Sequence, residues 1–201
     1  MNRDETGGEP VEPMEEDRAW RLILVARMRV DPVRLRDEPG ANAEELLAGT
    51  LRHVLSPLDA RELLAFEHRC HRLRDDANRW DLRDAATVLG GDGSDEAFHA
   101  FRTWLIGRGP VDYQAVLADP QALVDILRRD PRVPPFEPVL GHVVAELFLE
   151  QADEDLPPPP EESRREPAGE HREGVDFRTR YPRLAALGEE LTARSAEGDE
   201  S

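Results

Sequence analysis

The sequence contains no lysine, since all 26 of its basic residues are arginine. Together with abundant alanine, glycine, proline and aspartate, this usage is what GC-rich codons produce, and it indicates a high-GC bacterium. The single cysteine, Cys70, excludes an intrachain disulfide. No apolar run approaches the roughly 18 residues of a membrane span, and the acidic N-terminus is unlike a secretion signal. The sequence therefore predicts a cytoplasmic protein that does not contact membranes.

The excess of negative charge is confined to three segments of the chain. The net charge of −17 comes from residues 1–17, 150–176 and 189–201, whereas the rest of the chain balances 21 acidic residues against 21 arginines. Binding to a phosphate backbone needs a net basic surface, so this distribution argues against a nucleic-acid partner. Acidic terminal segments also favour solubility.

A chain of 201 residues fits one ordinary domain with additional segments. Composition divides it into a disordered acidic tail (1–14), a helical domain (15–151) and a linker rich in proline and glutamate (152–175). We expect a C-terminal helical segment over residues 176–195 that folds back onto the domain, followed by a disordered end (196–201).

Apolar residues recur at spacings of three and four along the whole domain, which predicts an all-α fold. Capping residues and prolines divide this pattern into a compact set of helices, with Asn42, Ser56 and Ser94 as candidate caps. The C-terminal segment has the same spacing. The predicted helices cover residues 15–30, 42–54, 56–79, 80–89, 95–106, 112–117, 120–129 and 138–151, and the C-terminal apolar positions are Phe177, Tyr181, Leu184, Leu187 and Leu191.

The stretch "GGDGSDEAF" (90–98) invites comparison with ligand-binding loops. A phosphate loop needs a lysine after its glycines, and a calcium loop needs a glutamate at its twelfth position, so neither pattern is complete. We interpret the stretch as a turn between two helices. Ser94 would cap the second helix, while Asp95 and Glu96 complement its dipole.

Charged residues next to this turn form the main candidate site. Asp95, His99 and Arg102 lie at i, i+4 and i+7 on one helix, and Asp81 and Asp84 share a face of the preceding helix. If the two helices pack antiparallel, these side chains converge, giving a carboxylate-oriented histidine with an arginine that holds an anionic group. The alternative, which we favour, is an ion-pair network that fixes the two helices together.

Two histidines and a carboxylate on the third predicted helix raise the question of zinc. His68, His71 and Asp75 lack the usual spacing of a helical ligand pair and the three or four convergent ligands of a zinc site. Cys70 lies on the apolar face, and no G-x-S-x-G nucleophile motif is present. We therefore expect a solvated polar face, no metal and no cofactor.

The stretch "RWDLRDAATVLGGDGSDEAFHAFRTWLIGRG" resembles the bacterial domain of unknown function 4240 family. The likeness extends to "EDRAWRLI", "YQAVLADPQALVD" and "YPRL", and it covers most of residues 15–150. It implies an all-helical cytosolic bacterial domain without an assigned activity. The motif residues in this chain are Trp80, Asp81, Ser94, Asp95, Phe98, Phe101, Arg102, Trp104 and Leu105.

The chain departs from the pattern of this family at two positions. It has Asp92–Gly93–Ser94 where many relatives carry glycine, cysteine and serine, so cysteine chemistry at the turn is absent here. Arg83 stands where an aromatic residue is common in relatives, which alters one wall of any pocket.

Two functions remain open from the sequence. The leading hypothesis is a regulatory or interaction module that binds a protein or peptide through Trp80, Asp84, Ser94 and Arg102. The alternative is a small cytosolic enzyme that uses His99 as general acid/base, with an aspartate (Asp95 or Asp81) orienting it and Arg102 holding substrate. The sequence leaves the oligomeric state open.

Overall fold

The predicted all-α fold is confirmed. The computed structural model describes residues 10–30, 43–89, 93–129, 136, 138–158, 166–170 and 177–198. Within these ranges the chain forms ten helices and no strand. The predicted Asn42 cap and the disorder predicted for residues 1–9 and 199–201 lie outside the described residues. The helices are α1 Glu16–Arg29, α2 Ala43–Leu55, α3 Ala60–Asp76, α4 Trp80–Val88, α5 Asp95–Gly107, α6 Pro110–Ala118, α7 Ala122–Arg129, α8 Val139–Ala152, α9 Phe177–Arg180 and α10 Pro182–Gly198.

The core forms around α8, which packs against α2, α3 and α5, while α1 covers α2 and α3. Its buried residues recur at helical spacing and include Leu140, Val144 and Phe148. Cys70 lies on the buried face of α3, as its position in the apolar pattern predicts, and burial raises the pKa of its thiol. Cys70 therefore acts as a small core side chain.

Aromatic side chains of α5 form the densest part of this core. Phe101 is 0% exposed, and its ring centre lies 6.2 Å from Phe98, 6.0 Å from Trp104 and 5.0 Å from Phe136. Such rings gain packing energy beyond the area that they bury. This cluster fixes the position of α5, the helix that carries the candidate residues Asp95, His99 and Arg102.

The third predicted helix starts later than expected, at Ala60 instead of Ser56. Asp59 forms a capping box, because Glu62 N donates to Asp59 Oδ1 (2.8 Å) and Asp59 N donates to Glu62 Oε2 (3.3 Å). The helix starts after Asp59 because the capping box satisfies two backbone amides there. The Ser56 hydroxyl does not cap this helix and donates to His53 O at the end of α2. The buried side chain of Leu58 then anchors a turn between the two helices.

Two later helices also begin at positions that differ from the predicted ones. α6 starts at Pro110, because Gly109 adopts φ +90° just before it and proline suits the first helical position. α7 starts at Ala122, because Asp119 Oδ1 accepts from Gln121 N (2.9 Å) and holds that segment in a turn. Proline and aspartate mark both starts, but they do not fix the first helical residue.

The inner end of the predicted N-terminal tail lies along α3. Met14 is buried, Met14 N donates to Ala65 O (2.7 Å), and Arg69 Nε donates to Met14 O (2.7 Å). His68 Nδ1 lies 2.8 Å from Val11 O. Residues 10–14 are therefore bound to α3, and the disorder predicted for them is wrong. Backbone groups of Val11 and Met14 form hydrogen bonds with residues of α3.

The C-terminal segment folds back onto the domain, as predicted. α9 and α10 pack on α4, and α10 also packs on α7. Ahead of them, Ala168 N donates to Asn78 O (2.7 Å) and Trp80 N donates to Ala168 O (3.0 Å). Part of the predicted linker is therefore bound to the turn between α3 and α4.

A single buried hydroxyl links α6 to the end of α3. Tyr113 is 1% exposed, and its hydroxyl donates to Leu73 O at 2.7 Å. Burial raises the pKa of Tyr113, so the phenol stays protonated and donates. We expect Tyr113→Phe to lower the free energy of unfolding by about 1–2 kcal/mol, because a buried carbonyl loses its donor.

Urea denaturation followed by circular dichroism measures the effect of Tyr113→Phe. The matched control is Tyr181→Phe, since the Tyr181 hydroxyl makes no hydrogen bond to a residue that the structure describes. Equal midpoints for the two variants would show that the bond from Tyr113 contributes nothing.

Candidate functional site

The structure separates the candidate residues into two groups, of which the first contains Asp81. Its Oδ1 accepts from Arg79 Nε (3.0 Å) and from Leu82 N (2.9 Å). Arg79 in turn donates through Nη1 to Leu117 O (2.7 Å) at the end of α6. Asp81 therefore orients Arg79, which joins the start of α4 to α6. The role of Asp81 in this pairing is structural.

Asp84 belongs to the same group and faces the C-terminal segment. The residue is 7% exposed, and its Oδ2 lies 3.7 Å from Arg180 Nη1 of α9. The Arg180 guanidinium lies 5.2 Å from the ring centre of Tyr181, which is itself buried. Burial raises the pKa of Tyr181, and the carboxylates of Asp81 and Asp84 act in the same direction. Arg180 of the C-terminal segment thus partly neutralises the negative charge of Asp84.

The second group surrounds the glycine turn. Arg83 Nη1 lies 2.8 Å from Asp95 Oδ1, and Arg83 Nη2 donates to Gly93 O at 2.8 Å. The Ser94 hydroxyl accepts from Ala97 N (3.1 Å), which confirms its predicted role as the cap of α5. Asp95 is therefore paired with Arg83 across the turn, and neither Asp81 nor Asp84 shares a contact with it in the described ranges.

Trp80 and Phe98 form the aromatic wall of this turn. The Arg83 guanidinium lies 5.7 Å from the ring centres of both residues, within the range of cation–π attraction. Arg83 of α4 thus contacts both aromatic rings and, through Asp95, the start of α5. The sequence pattern gives no indication of the bond from Arg83 to Asp95.

Arg102 joins α5 to the end of α3. Its guanidinium lies 4.6 Å from the ring centre of Phe98, and its Nη1 donates to Arg74 O at 3.0 Å. Burial, followed by the positive charge of Arg74, lowers the pKa of Arg102 to about 10. Arg74 itself pairs with Glu67. Arg102 forms no ion pair with a described carboxylate, and the contacts that it does make hold helices together.

His99 has an environment that disfavours the charged imidazolium. Although the residue as a whole is exposed, partial burial of its ring lowers its pKa to about 4, and the positive charges of Arg74 and Arg102 add to this effect. A carboxylate that oriented His99 would act in the opposite direction. None of the described carboxylates is among the charges that shift the pKa of His99, and Asp95 pairs with Arg83 instead.

The low pKa of His99 predicts how acid acts on stability. Its folded pKa lies below the value of about 6.5 of an unfolded chain, so between pH 6.5 and pH 4 the unfolded state binds more protons. The contribution of His99 is complete above pH 6.5 and is lost as the pH falls toward 4. We therefore expect His99→Gln to lose less stability on acidification than the unchanged chain.

Imidazole NMR titration and urea denaturation at pH 7 and pH 5 test this expectation. A titration midpoint for His99 at or above 6.5 would contradict the environment described here, as would identical acid sensitivity of the two chains.

The weak metal candidates do not assemble into a site. His71 Nδ1 lies 3.3 Å from Asp75 Oδ2, whereas His68 Nδ1 faces Val11 O. Burial lowers the pKa of His71, and Asp75 opposes this effect. In the part of the chain that the structure describes, no three His, Cys, Asp or Glu side chains converge as metal ligands.

Helix α10 covers a surface formed by α4 and α7. We call it the α4–α7 surface (Asp84 and Val88 of α4, Asp125 and Arg128 of α7). Three leucines of α10 are buried at this contact, at 0%, 4% and 8% exposure: Leu184, Leu187 and Leu191. Ion pairs flank them, with Arg183 Nη2 3.1 Å from Asp125 Oδ1 and Arg128 Nη2 4.0 Å from Glu190 Oε1.

Gly188 of α10 lies directly against the C-terminal end of α4. A Cβ atom at this position would lie 2.6 Å from Val88 O, the carbonyl of the last residue of α4. The leucine spacing predicts the helix, but it does not predict the contact that Gly188 makes. An isolated glycine inside a helical pattern was the available signal, because it commonly has a packing reason.

These observations define a compact all-helical domain in which the candidate carboxylates Asp81, Asp84 and Asp95 each pair with an arginine, and whose α4–α7 surface carries a docked helix. The model of the family of proteins of unknown function designated DUF4240 matches residues 14–150, and the chain belongs to this family. The docked helix, residues 182–198, lies outside the matched region.

No curated protein and no solved structure matches the chain. Across the described ranges, each helix is too short or too polar to cross a membrane.

Proposed function

We propose that this protein is a protein- or peptide-binding regulatory module, and that its α4–α7 surface binds an amphipathic helix. One observation carries the proposal: a helix from outside the family-matched residues already lies on this surface with its leucines buried. A helix that places apolar anchors at i, i+3 and i+7 into a receiving surface is a common mode of peptide recognition.

The charges around the α4–α7 surface favour one direction of the bound helix. Arg180 and Arg183 precede the first buried leucine and face the carboxylates of Asp84 and Asp125. Near the other end Glu190 faces Arg128. A helix bound in the reverse direction would place like charges together, which costs affinity and suppresses wrong partners.

We also propose a bacterial, cytoplasmic setting for this module. Exclusive use of arginine as the basic residue and a single cysteine in the core support it. The alternative of an acid/base enzyme gains no supporting observation, because Asp81, Asp95 and Arg102 each hold scaffold contacts and His99 is a weak base.

Peptide binding to the whole chain tests the proposal. In the variant Leu184→Glu/Leu187→Glu, two charges replace buried leucines, so α10 should leave the α4–α7 surface. We expect this variant to bind a fluorescent peptide of residues 177–198, measured by anisotropy, and the unchanged chain to bind it far more weakly.

The matched control is Ala186→Glu, which places the same charge on the exposed side of α10 and should leave binding as weak as in the unchanged chain. If the double variant keeps its helical circular dichroism but binds no peptide, the α4–α7 surface is not a helix-binding site.

A further inference from the structure

We infer that the α4–α7 surface selects its partner by two features of the C-terminal segment: a glycine where the helix crosses the end of α4 (Gly188), and an arginine directly before Tyr181 (Arg180). The inference rests on the proposed function and names the partner class. That class is an amphipathic helix with the pattern Arg-aromatic-x-x-Leu-x-x-Leu-Gly-x-x-Leu, as residues 180–191 show it.

The glycine is required because backbone, not a flexible side chain, lies opposite it. A Cβ atom on Gly188 would lie 2.6 Å from Val88 O and 3.8 Å from Leu89 Cα. Real Cβ atoms do not approach a carbonyl oxygen so closely, and Val88 is held by its own helix. Any other residue at this position must lift the helix off α4.

The arginine is required because the surface presents a buried carboxylate. Asp84 is 7% exposed, and Arg180 Nη1 lies 3.7 Å from its Oδ2. The Tyr181 ring, 5.2 Å from the guanidinium, limits the conformations that Arg180 can adopt. A helix without this cation leaves the negative charge of Asp84 less compensated in a largely desolvated place.

The leucines contribute affinity but little selectivity. Leu184, Leu187 and Leu191 bury the apolar face, and many amphipathic helices offer the same spacing. Gly188 and Arg180 add two requirements that the leucine spacing alone does not impose. They distinguish a partner from other helices by a steric and an electrostatic penalty, which is how specific interfaces commonly exclude wrong partners.

The C-terminal segment is then a tethered competitor for its own surface. A segment joined to its binding site competes at an effective concentration on the order of millimolar. A partner helix must overcome this competition, so the segment sets the threshold at which the module binds.

Peptides measured against the full chain with Leu184→Glu/Leu187→Glu test the selection. The probes are residues 177–198 unchanged, with Gly188→Ala, with Arg180→Gln, and with Ala186→Ser as the exposed control. We expect Gly188→Ala to weaken binding by about tenfold or more, although alanine is the better helix former. Arg180→Gln should weaken it by about threefold to tenfold, and Ala186→Ser by less than about twofold.

The outcomes separate this inference from the proposed function. If the unchanged peptide binds and the Gly188→Ala and Arg180→Gln peptides bind equally well, the helix-binding function stands and the selection rule is wrong. If no peptide binds, the function itself fails. A full chain with Gly188→Ala in its own helix serves as a second acceptor, so the test does not depend on the folding of one variant.

Discussion

Phe101→Ala is expected to lower the free energy of unfolding by about 3–5 kcal/mol, which is a large part of the stability of a domain of this size. Phe101 is completely buried, and three aromatic rings surround it at 5.0 to 6.2 Å: those of Phe98, Trp104 and Phe136. Removing the ring leaves a cavity that these rigid neighbours cannot fill, so the transfer and cavity terms add.

Urea denaturation measures the effect of Phe101→Ala, and two variants control it. Phe101→Leu keeps most of the volume and should cost clearly less. Val111→Ala removes methyl groups from a residue that is 78% exposed, so it should change stability by less than about 0.5 kcal/mol. A cost below about 1 kcal/mol for Phe101→Ala would mean that this cluster is not part of the core.

Gly188→Ala in the intact chain is expected to release α10 from α4. In an exposed helix this change gains about 1 kcal/mol, because alanine has the higher helix propensity. Here the added Cβ would lie 2.6 Å from Val88 O, and overpacking of this kind costs about 1–3 kcal/mol or more. The packing cost exceeds the propensity gain, so the net effect should be loss of the docked helix.

Hydrogen–deuterium exchange locates the effect of Gly188→Ala. Amides of α10 should exchange faster, and so should those of α4 beneath it, while α3, α5 and α8 keep their protection. Gly49→Ala is the matched control, because a Cβ on this glycine of α2 meets nothing within 4 Å and should be neutral or stabilising. Unchanged protection of α10 in the Gly188→Ala chain would contradict the close approach.

The candidate site shows where inference from sequence stops. The spacing of Asp95, His99 and Arg102 correctly places them on one helix, and of the expected ion pairs between the two helices the structure shows the one from Arg83 to Asp95. The sequence did not say which arginine each carboxylate meets. Asp95 pairs with Arg83, and Asp84 pairs with Arg180, which lies 96 positions further along the chain. Such pairing depends on how whole helices rotate against each other.

Local pattern by itself determined the all-α fold, the cap at Ser94, the core position of Cys70 and the return of the C-terminal helix. Each of these follows from residues within one or two helical turns, whose spacing fixes a face or an end. Three features could be read only from the folded chain: the start of α3 after Asp59, the contact of Arg180 with Asp84 and the contact of Gly188 with Val88. Those features depend on distances between elements far apart in the chain, and side-chain packing in three dimensions sets such distances.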